Sequence, residues 1–297
     1  MVDLKGMSTE TRNERTMDLD AMPLAELLGV MNDEDARVAG AVREELPRIE
    51  QAVRRIVASF GAGGRLVYMG AGTSGRLGVI DAAECVPTFG IPPGRVVGLI
   101  AGGDVALVKA VEGAEDDYDL GGADLKRIGL EPRDTVVGLA ASGRTPYVRG
   151  GLDYAREIGA SAVAVSCNRQ AVISEAADVA IEVVPGPEVL TGSTRLKAGT
   201  AQKLVLNMLS TASMVGIGKV YKNLMIDVLA TNAKLKSRAE NIVMVAAEVD
   251  RATARRALDE SGGSCKVATV MLLLNCGREM AEEKIAAAGG HVRKAVE

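Results

Sequence analysis

The fold is decided by a stretch that reads Arg65-Leu-Val-Tyr-Met-Gly-Ala-Gly-Thr-Ser-Gly-Arg-Leu-Gly78. A short apolar run passes into a glycine-rich turn, which is the pattern of a buried strand that leads into a helix. The turn satisfies Gly-x-Gly-x-x-Gly, a weak indication of a dinucleotide site when it stands alone. Such a site also needs an acidic residue about 20 positions further on. The first acid after the next predicted strand is Asp104, which fits that spacing poorly.

The same strand-then-loop pattern recurs along the chain. Apolar runs predict strands at residues 65–69, 95–100, 135–140, 161–166 and 179–184. Each of the first four runs into a loop rich in small or polar residues and then into a helical segment. Continuous apolar strands that alternate with helices indicate a parallel sheet covered on both faces. We therefore predict an α/β fold with a five-stranded parallel sheet flanked by helices.

Segments with helical periodicity precede and follow the predicted strands in the sequence. It predicts helices over residues 34–60, from Ala198 to Ile217 and from Leu224 to about Val249, with three short helices in 252–297. We expect an N-terminal arm and helix at 1-60, a domain that holds the sheet at 61-245, and a small C-terminal helical domain at 246-297.

The composition excludes several classes of function. The 297 residues include five Tyr, two Phe, no Trp and a single His, His291, near the C-terminal end. Sites that stack bases need a supply of aromatic rings, and Ser-His-Asp triads or His-containing zinc sites need a well-placed His. The net charge of −4 gives no basic face for nucleic acid. We expect no nucleic-acid partner, no metal and no cofactor, and catalysis by carboxylates, hydroxyls, amines or backbone amides.

The cysteines and the apolar stretches place the protein in the cytoplasm. The four cysteines form no Cys-x-x-Cys pair, so we predict buried small hydrophobic residues at Cys85, Cys167, Cys265 and Cys276. Residues 1–15 are charged and have no apolar signal region. The uncharged stretch 204–218 is shorter than the about 20 residues of a membrane span. We expect no membrane partner.

A Ser-Gly-Arg pattern recurs at predicted helix starts. It occurs at Ser74-Gly75-Arg76 and at Ser142-Gly143-Arg144, with a related Ser193-Thr194-Arg195. The first two should converge, because ligands gather outside the carboxyl ends of parallel strands, and helix N-termini favour anions. The alternative is that these hydroxyls only cap their helices. The repetition with Gly and Arg favours a compact phosphate.

Acidic residues follow the first two strands. Glu84 closes Asp81-Ala-Ala-Glu84 and precedes the uncharged Cys85-Val-Pro87, while Glu112 and Glu115 follow the second strand. A carboxyl among apolar residues is desolvated and favours its acid form, whereas one nearer solvent stays ionised and acts as a base. We expect Glu84 to be the desolvated member. The alternative for any single Glu is a solvated surface position.

At these residues the chain resembles the N-acetylmuramic acid 6-phosphate etherases, a branch of the sugar isomerase (SIS) domain superfamily. The resemblance lies in residues 68–88, 110–117, 140–147 and 186–203, and continues through 223–228 and 230–235. It implies a homodimer and a Rossmann-like SIS sheet that binds a sugar phosphate, so that 61-245 is a SIS phosphosugar-binding domain. It also implies a lyase that converts N-acetylmuramic acid 6-phosphate to N-acetylglucosamine 6-phosphate and D-lactate in cytoplasmic peptidoglycan recycling.

The resemblance also implies roles for individual residues. Glu84 matches the proton donor and Glu115 the second catalytic acid of the family. The positions that match the family's sugar-phosphate-binding residues carry side-chain hydroxyls. The Ser-Gly-Arg pattern adds one glycine and one arginine to this set. Together these are Thr73, Ser74, Ser142, Gly143, Arg144 and Thr145.

The sequence departs from the family pattern at Lys222 and at Cys265-Lys266. Neither departure touches the two acids. Two other functions stay open on the sequence: a non-catalytic phosphosugar sensor, since SIS domains also occur in regulators, and a sugar-phosphate isomerase.

Overall fold

A five-stranded parallel sheet forms the centre of the first part of the chain. The computed structural model describes residues 7–228 and 233–297. The strands run in the order β2-β1-β3-β4-β5, and every pairing is parallel. Their bounds are β1 Leu66–Gly70, β2 Val96–Ile100, β3 Thr135–Ala140, β4 Ser161–Ser166 and β5 Val179–Glu182. The predicted fold class and all five predicted strands are confirmed.

Twelve α-helices occur in the described residues. They are α1 Leu24–Asp35, α2 Val38–Glu44, α3 Leu46–Gly61, α4 Gly72–Phe89, α5 Tyr118–Arg127, α6 Pro146–Glu157, α7 Lys197–Gly216, α8 Ala233–Ala247, α9 Arg251–Glu260, α10 Cys265–Leu274, α11 Arg278–Ala287 and α12 Val292–Val296. Within the part of the chain that is described, no helix is both long and apolar enough to cross a membrane.

The chain divides into two compact units. The first holds the described residues of Met1–Ala83 with Gly94–Ser210, and the second holds Glu84–Pro93 with the described residues of Thr211–Glu297. The sheet lies in the first unit, where β1 and β3 are buried along their whole length. That burial on both faces explains why the strands read as continuous apolar runs. The division at 1-60, 61-245 and 246-297 stays a prediction.

The strand order reverses at β1. The chain passes from β1 outward to β2 and then returns to β3 on the other side of β1. Gly70, the last residue of β1, is in register with Leu139 near the end of β3. The loops that follow these two strands therefore leave the sheet side by side. In open parallel sheets, ligands bind in the crevice at such a reversal.

The second unit has its own helical core. Its buried residues include Ile226, Val243, Leu258, Val270 and Val292. The prediction of three short helices in 252–297 is wrong, because α9 to α12 make four. The last break lies between Ala287 and Val292 and contains Gly289 and Gly290, which both have positive φ.

The prediction of a helix from Leu224 is also wrong. Tyr221 and Leu224 form a tight antiparallel bridge, and Lys222 between them has a φ of +52°. The amides of Tyr221 and Leu224 donate to each other's carbonyls, and the amide of Val228 donates to Met225 rather than to Leu224, so no α-helical turn forms from Leu224. The next described helix begins at Ala233. Ala230, Thr231 and Asn232, which carry part of the resemblance, lie outside the described residues.

A buried ion pair joins α1 to the start of α7 within the first unit. Lys197 Nζ lies 2.6 Å from Glu34 Oε2, and the two side chains are 1% and 2% exposed. Arg15 and Arg37 also contact Glu34, at 3.1 and 3.2 Å. Burial raises the pKa of Glu34, but the hydrogen bonds from Lys197 and Arg15 outweigh it and hold the pKa below its ordinary value.

We predict that Glu34→Leu lowers the free energy of unfolding by about 3–5 kcal/mol, because it leaves the Lys197 ammonium buried without its carboxylate. Adding Lys197→Met should recover most of that loss, since an apolar pair replaces an ion pair at little net cost. Urea unfolding followed by circular dichroism measures both. The exposed pair Glu50–Arg54 supplies the control, and Glu50→Leu should change stability by less than about 0.5 kcal/mol. Equal losses in the single and double variants would contradict the account.

Candidate active site

The first loop passes directly from β1 into α4. Glycine is required in this loop because the start of α4 lies very close to the end of β1. A Cβ on Gly75 would lie 2.6 Å from the carbonyl oxygen of Gly70. The helix therefore packs against the end of its own strand, as in phosphate-binding turns. Thr73 is half-buried and Ser74 is buried at the start of this helix.

The second loop, Ser142–Thr145, joins β3 to α6. Gly143 has a φ of +74°, and a Cβ there would clash with Cβ of Ala171. Asn168 Nδ2 holds the loop from the other side by donating to the carbonyl of Ser142 at 3.2 Å. Thr145 is the N-cap residue of α6, yet its side chain makes no capping hydrogen bond. The alternative of a simple helix cap is therefore not supported at Thr145.

Glu115 is held beside the second loop. Its backbone carbonyl accepts from the amide of Tyr147, in the first turn of α6, at 3.0 Å. Its side chain is exposed and borders two cavities. One, of about 370 Å³, is lined by Glu115, Asp116, Ser142, Arg144, Thr145, Pro146 and Val172. The structure thus brings Glu115 together with Ser142, Arg144 and Thr145.

The second cavity connects Glu115 to the first loop. It measures about 240 Å³, and its lining includes Ala71, Gly72, Glu112 and Glu115. The two predicted loops therefore converge around Glu115, as the strand order requires.

Arg76 supports the backbone beside the first loop. Its guanidinium donates to the carbonyls of Leu107 at 2.9 Å and Ala106 at 2.7 Å. Arg76 therefore anchors the segment after β2, and its Nε and one Nη are already used. Arg76 also lines the second cavity with Glu115, while Arg144 lines the first.

At the third, related pattern a side chain of the protein itself occupies the helix start. The start of α7 is capped by Glu188, whose carboxylate accepts from the amides of Lys197 and Ala198 at 2.9 Å each. A protein carboxylate thus occupies the amides that an anion would use. Ser193-Thr194-Arg195 precedes a helix that is already capped.

Ser74 contacts a residue that the sequence did not single out. Its Oγ donates to Oε1 of Gln202, on α7, at 2.8 Å. Gln202 lies far from Ser74 along the chain, and no motif spacing connects the two residues. Only its place within the 186–203 resemblance pointed to this region.

Comparisons with known proteins identify the family. The model of the glucokinase regulatory protein N-terminal SIS domain matches residues 48–156. N-acetylmuramic acid 6-phosphate etherases from Geobacillus sp. (strain WCH70) and Exiguobacterium sp. (strain ATCC BAA-1283 / AT1b) are each 59% identical over 99% of this chain and 100% of the relative. The one from Mycolicibacterium smegmatis is 57% identical over 99% of each chain. The chain belongs to the N-acetylmuramic acid 6-phosphate etherase family. The resemblance drawn from the sequence is confirmed.

In the acidic motif Asp81-Ala-Ala-Glu84 of this etherase-family chain, the buried carboxyl group is not the one that we expected. Glu84, in the second unit, has an exposed side chain, so the expectation that it is the desolvated member is corrected. Asp81, one helical turn earlier, is the buried carboxyl and accepts from Tyr68 Oη at 3.0 Å. Burial raises the pKa of Asp81, although the Tyr68 hydrogen bond opposes the shift. The apolar neighbours of Glu84 in sequence do not surround it, because a helix turns each residue to a different direction.

Three of the cysteines are buried, as predicted, and Cys276 is half-buried. Burial raises the pKa of the Cys167 thiol to about 12 and that of Cys265 to about 11, which makes both unreactive at neutral pH. Over residues 7–228 and 233–297, no group of three or more His, Cys, Asp and Glu side chains could hold a metal ion.

We predict that Gly143→Ala destabilises the protein by more than the about 1–2 kcal/mol that a left-handed alanine costs, because the new methyl also meets Ala171. Gly129 is the matched control, since it has a φ of +60° and nothing within 4 Å of an added Cβ. Urea unfolding of the two variants separates the contact from the backbone strain. The same cost at both positions would show that the packing of Gly143 is unimportant.

Proposed function

We propose that this chain is a carbon-oxygen lyase that cleaves the D-lactyl ether of N-acetylmuramic acid 6-phosphate. The products are N-acetylglucosamine 6-phosphate and D-lactate, in cytoplasmic recycling of cell-wall amino sugars. The observation that carries the proposal is the convergence of Glu115 with Ser142, Arg144 and Thr145 at the strand reversal, in a chain that belongs to this etherase family.

Two carboxyl groups can perform the reaction. With the sugar ring open, the C1 aldehyde acidifies the proton on C2, and the ether oxygen on C3 departs if it is protonated. A carboxylate accepts the C2 proton while a carboxylic acid donates to the ether oxygen, which releases D-lactate and leaves a C2–C3 double bond. Water then adds, with its hydroxyl on C3 and a proton on C2. We assign Glu84 as the proton donor and Glu115 as the second catalytic acid.

The two loops supply a phosphate site without an aromatic platform. Hydroxyls and backbone amides at the starts of α4 and α6 suit a compact anion, because helix N-termini carry partial positive charge. Arg144 adds a full positive charge beside them. We assign to this site Thr73, Ser74, Ser142, Gly143, Arg144 and Thr145.

We infer that the protein works as a homodimer. On α1, Leu24 is 69% and Leu28 57% exposed. Neighbouring apolar side chains that face water on one helix are typical of a surface covered by another chain. A second copy is the occupant that the family resemblance implies.

The purified protein should release D-lactate from N-acetylmuramic acid 6-phosphate, measured with D-lactate dehydrogenase. Glu84→Gln and Glu115→Gln should each lower kcat by about 10²–10⁴-fold, since each removes a proton-transferring group. Both variants should still bind N-acetylglucosamine 6-phosphate in calorimetry.

Glu157→Gln serves as the control, because Glu157 is exposed on α6 away from both cavities and should leave turnover unchanged. A folded wild-type protein that binds the sugar phosphate but yields no lactate would identify a sensor. A product that keeps its lactyl group would identify an isomerase.

Light scattering should give twice the mass of one chain. Replacing Leu24 and Leu28 together by Glu should shift the protein to monomer, because charge on an apolar contact surface opposes association. Val108, a residue of the first unit that is 91% exposed, provides the control through Val108→Glu. A dimer that persists in the Leu24 and Leu28 variant would place the interface elsewhere.

A further inference from the structure

Ser74 and Gln202 share a buried hydrogen bond at the first loop. Ser74 Oγ donates to Gln202 Oε1 at 2.8 Å, and the two residues are 7% and 1% exposed. Gln202 lies in the second turn of α7. The first turn of that helix also packs on the loop, since a Cβ at Gly199 would lie 3.5 Å from Thr73 Cγ2. Helix α7 therefore supports both hydroxyls assigned to the phosphate at this loop.

The direction of this hydrogen bond conflicts with phosphate binding by Ser74. A serine hydroxyl has one hydrogen to donate, while its lone pairs only accept. Phosphate oxygens at neutral pH act chiefly as acceptors, so Ser74 must give its hydrogen to the phosphate to bind it. As long as Ser74 donates to Gln202, that hydrogen is not available.

The conflict disappears if the Nε2 end of the Gln202 carboxamide, rather than its oxygen, faces Ser74. Gln202 Nε2 is buried and finds no hydrogen-bond acceptor among the residues that the structure describes. A buried donor without an acceptor is unfavourable. The oxygen and nitrogen ends of a carboxamide have nearly the same shape, so a half-turn about the terminal bond exchanges them without moving the backbone. Nε2 then donates to Ser74 Oγ, and the Ser74 hydrogen can point away from Gln202.

We infer that Gln202 is a positioning residue that sets the direction of the Ser74 hydroxyl. Without ligand, Gln202 accepts the Ser74 hydrogen. With a phosphate at the loop, Gln202 donates to Ser74, and Ser74 donates to the phosphate. The inference rests on the proposed function, because it takes Ser74 as a ligand of the sugar phosphate.

Gln202→Glu and Gln202→Met separate this role from simple packing. A carboxylate keeps the shape and can only accept, so it holds the Ser74 hydrogen and should raise KM by about ten-fold or more with kcat little changed. Methionine has no hydrogen to donate and is only a weak acceptor, so it leaves the Ser74 hydrogen free and KM should rise by no more than about three-fold. A structural role gives the reverse order, since glutamate preserves the observed hydrogen bond and methionine does not.

The new charge of Gln202→Glu could also repel the phosphate, and a Ser74→Ala background isolates that effect. If Gln202 acts through Ser74, Gln202→Glu should change KM by less than about two-fold once Ser74 is Ala. If repulsion is the cause, the full increase in KM persists in that background and the inference is wrong. Thermal unfolding of each variant checks that the fold is retained.

Failure of the proposed function would look different. A wild-type protein that releases no D-lactate contradicts the etherase activity alone, and the dissociation constant of N-acetylglucosamine 6-phosphate then replaces KM in the same comparison. The Gln202 inference is overturned if Gln202→Glu binds this sugar phosphate as well as wild type, or if Gln202→Met binds it less well than Gln202→Glu.

Discussion

The reversal of strand order between β1 and β3 is the constraint on which the site depends. It places the loops after these strands side by side, with Gly70 in register with Leu139. Gly75 lets α4 approach β1, and Gly143 lets the second loop pass Ala171. Any larger residue at either position would move a helix start away from the crevice. The convergence of polar groups at Glu115 follows from this backbone arrangement rather than from side-chain chemistry.

The site also explains how the chain can do without histidine and aromatic rings. Helix N-termini and hydroxyls bind a compact anion without a stacking surface, and elimination beside a carbonyl needs only groups that accept and donate protons. Carboxyl groups can do both, because the ionised form accepts a proton and the neutral form donates one. A single His in the chain, His291, is in the second unit near the C-terminus, and burial lowers its pKa.

The strands and the two converging loops could be predicted because each is encoded locally. Continuous apolar runs locate the strands, and Ser-Gly-Arg locates the helix starts. Some of the errors arise from local turns, such as the one at Tyr221–Leu224, and others where a residue far along the chain decides the outcome. Glu188 caps α7, and Asp81 is buried where Glu84 is not. The Ser74–Gln202 hydrogen bond joins residues far apart in the chain. Neither periodicity nor motif spacing carries information about such pairs.

The central claim is that the ether is cleaved by elimination followed by addition of water. Reaction in water enriched with ²H and ¹⁸O, followed by mass spectrometry and NMR of both products, tests it most directly. The account predicts ²H at C2 and ¹⁸O on C3 of N-acetylglucosamine 6-phosphate, with neither isotope bound to carbon in the D-lactate. Incorporation of ¹⁸O at the C2 carbon of lactate, with no label on C2 or C3 of the sugar, would show direct displacement and contradict the account.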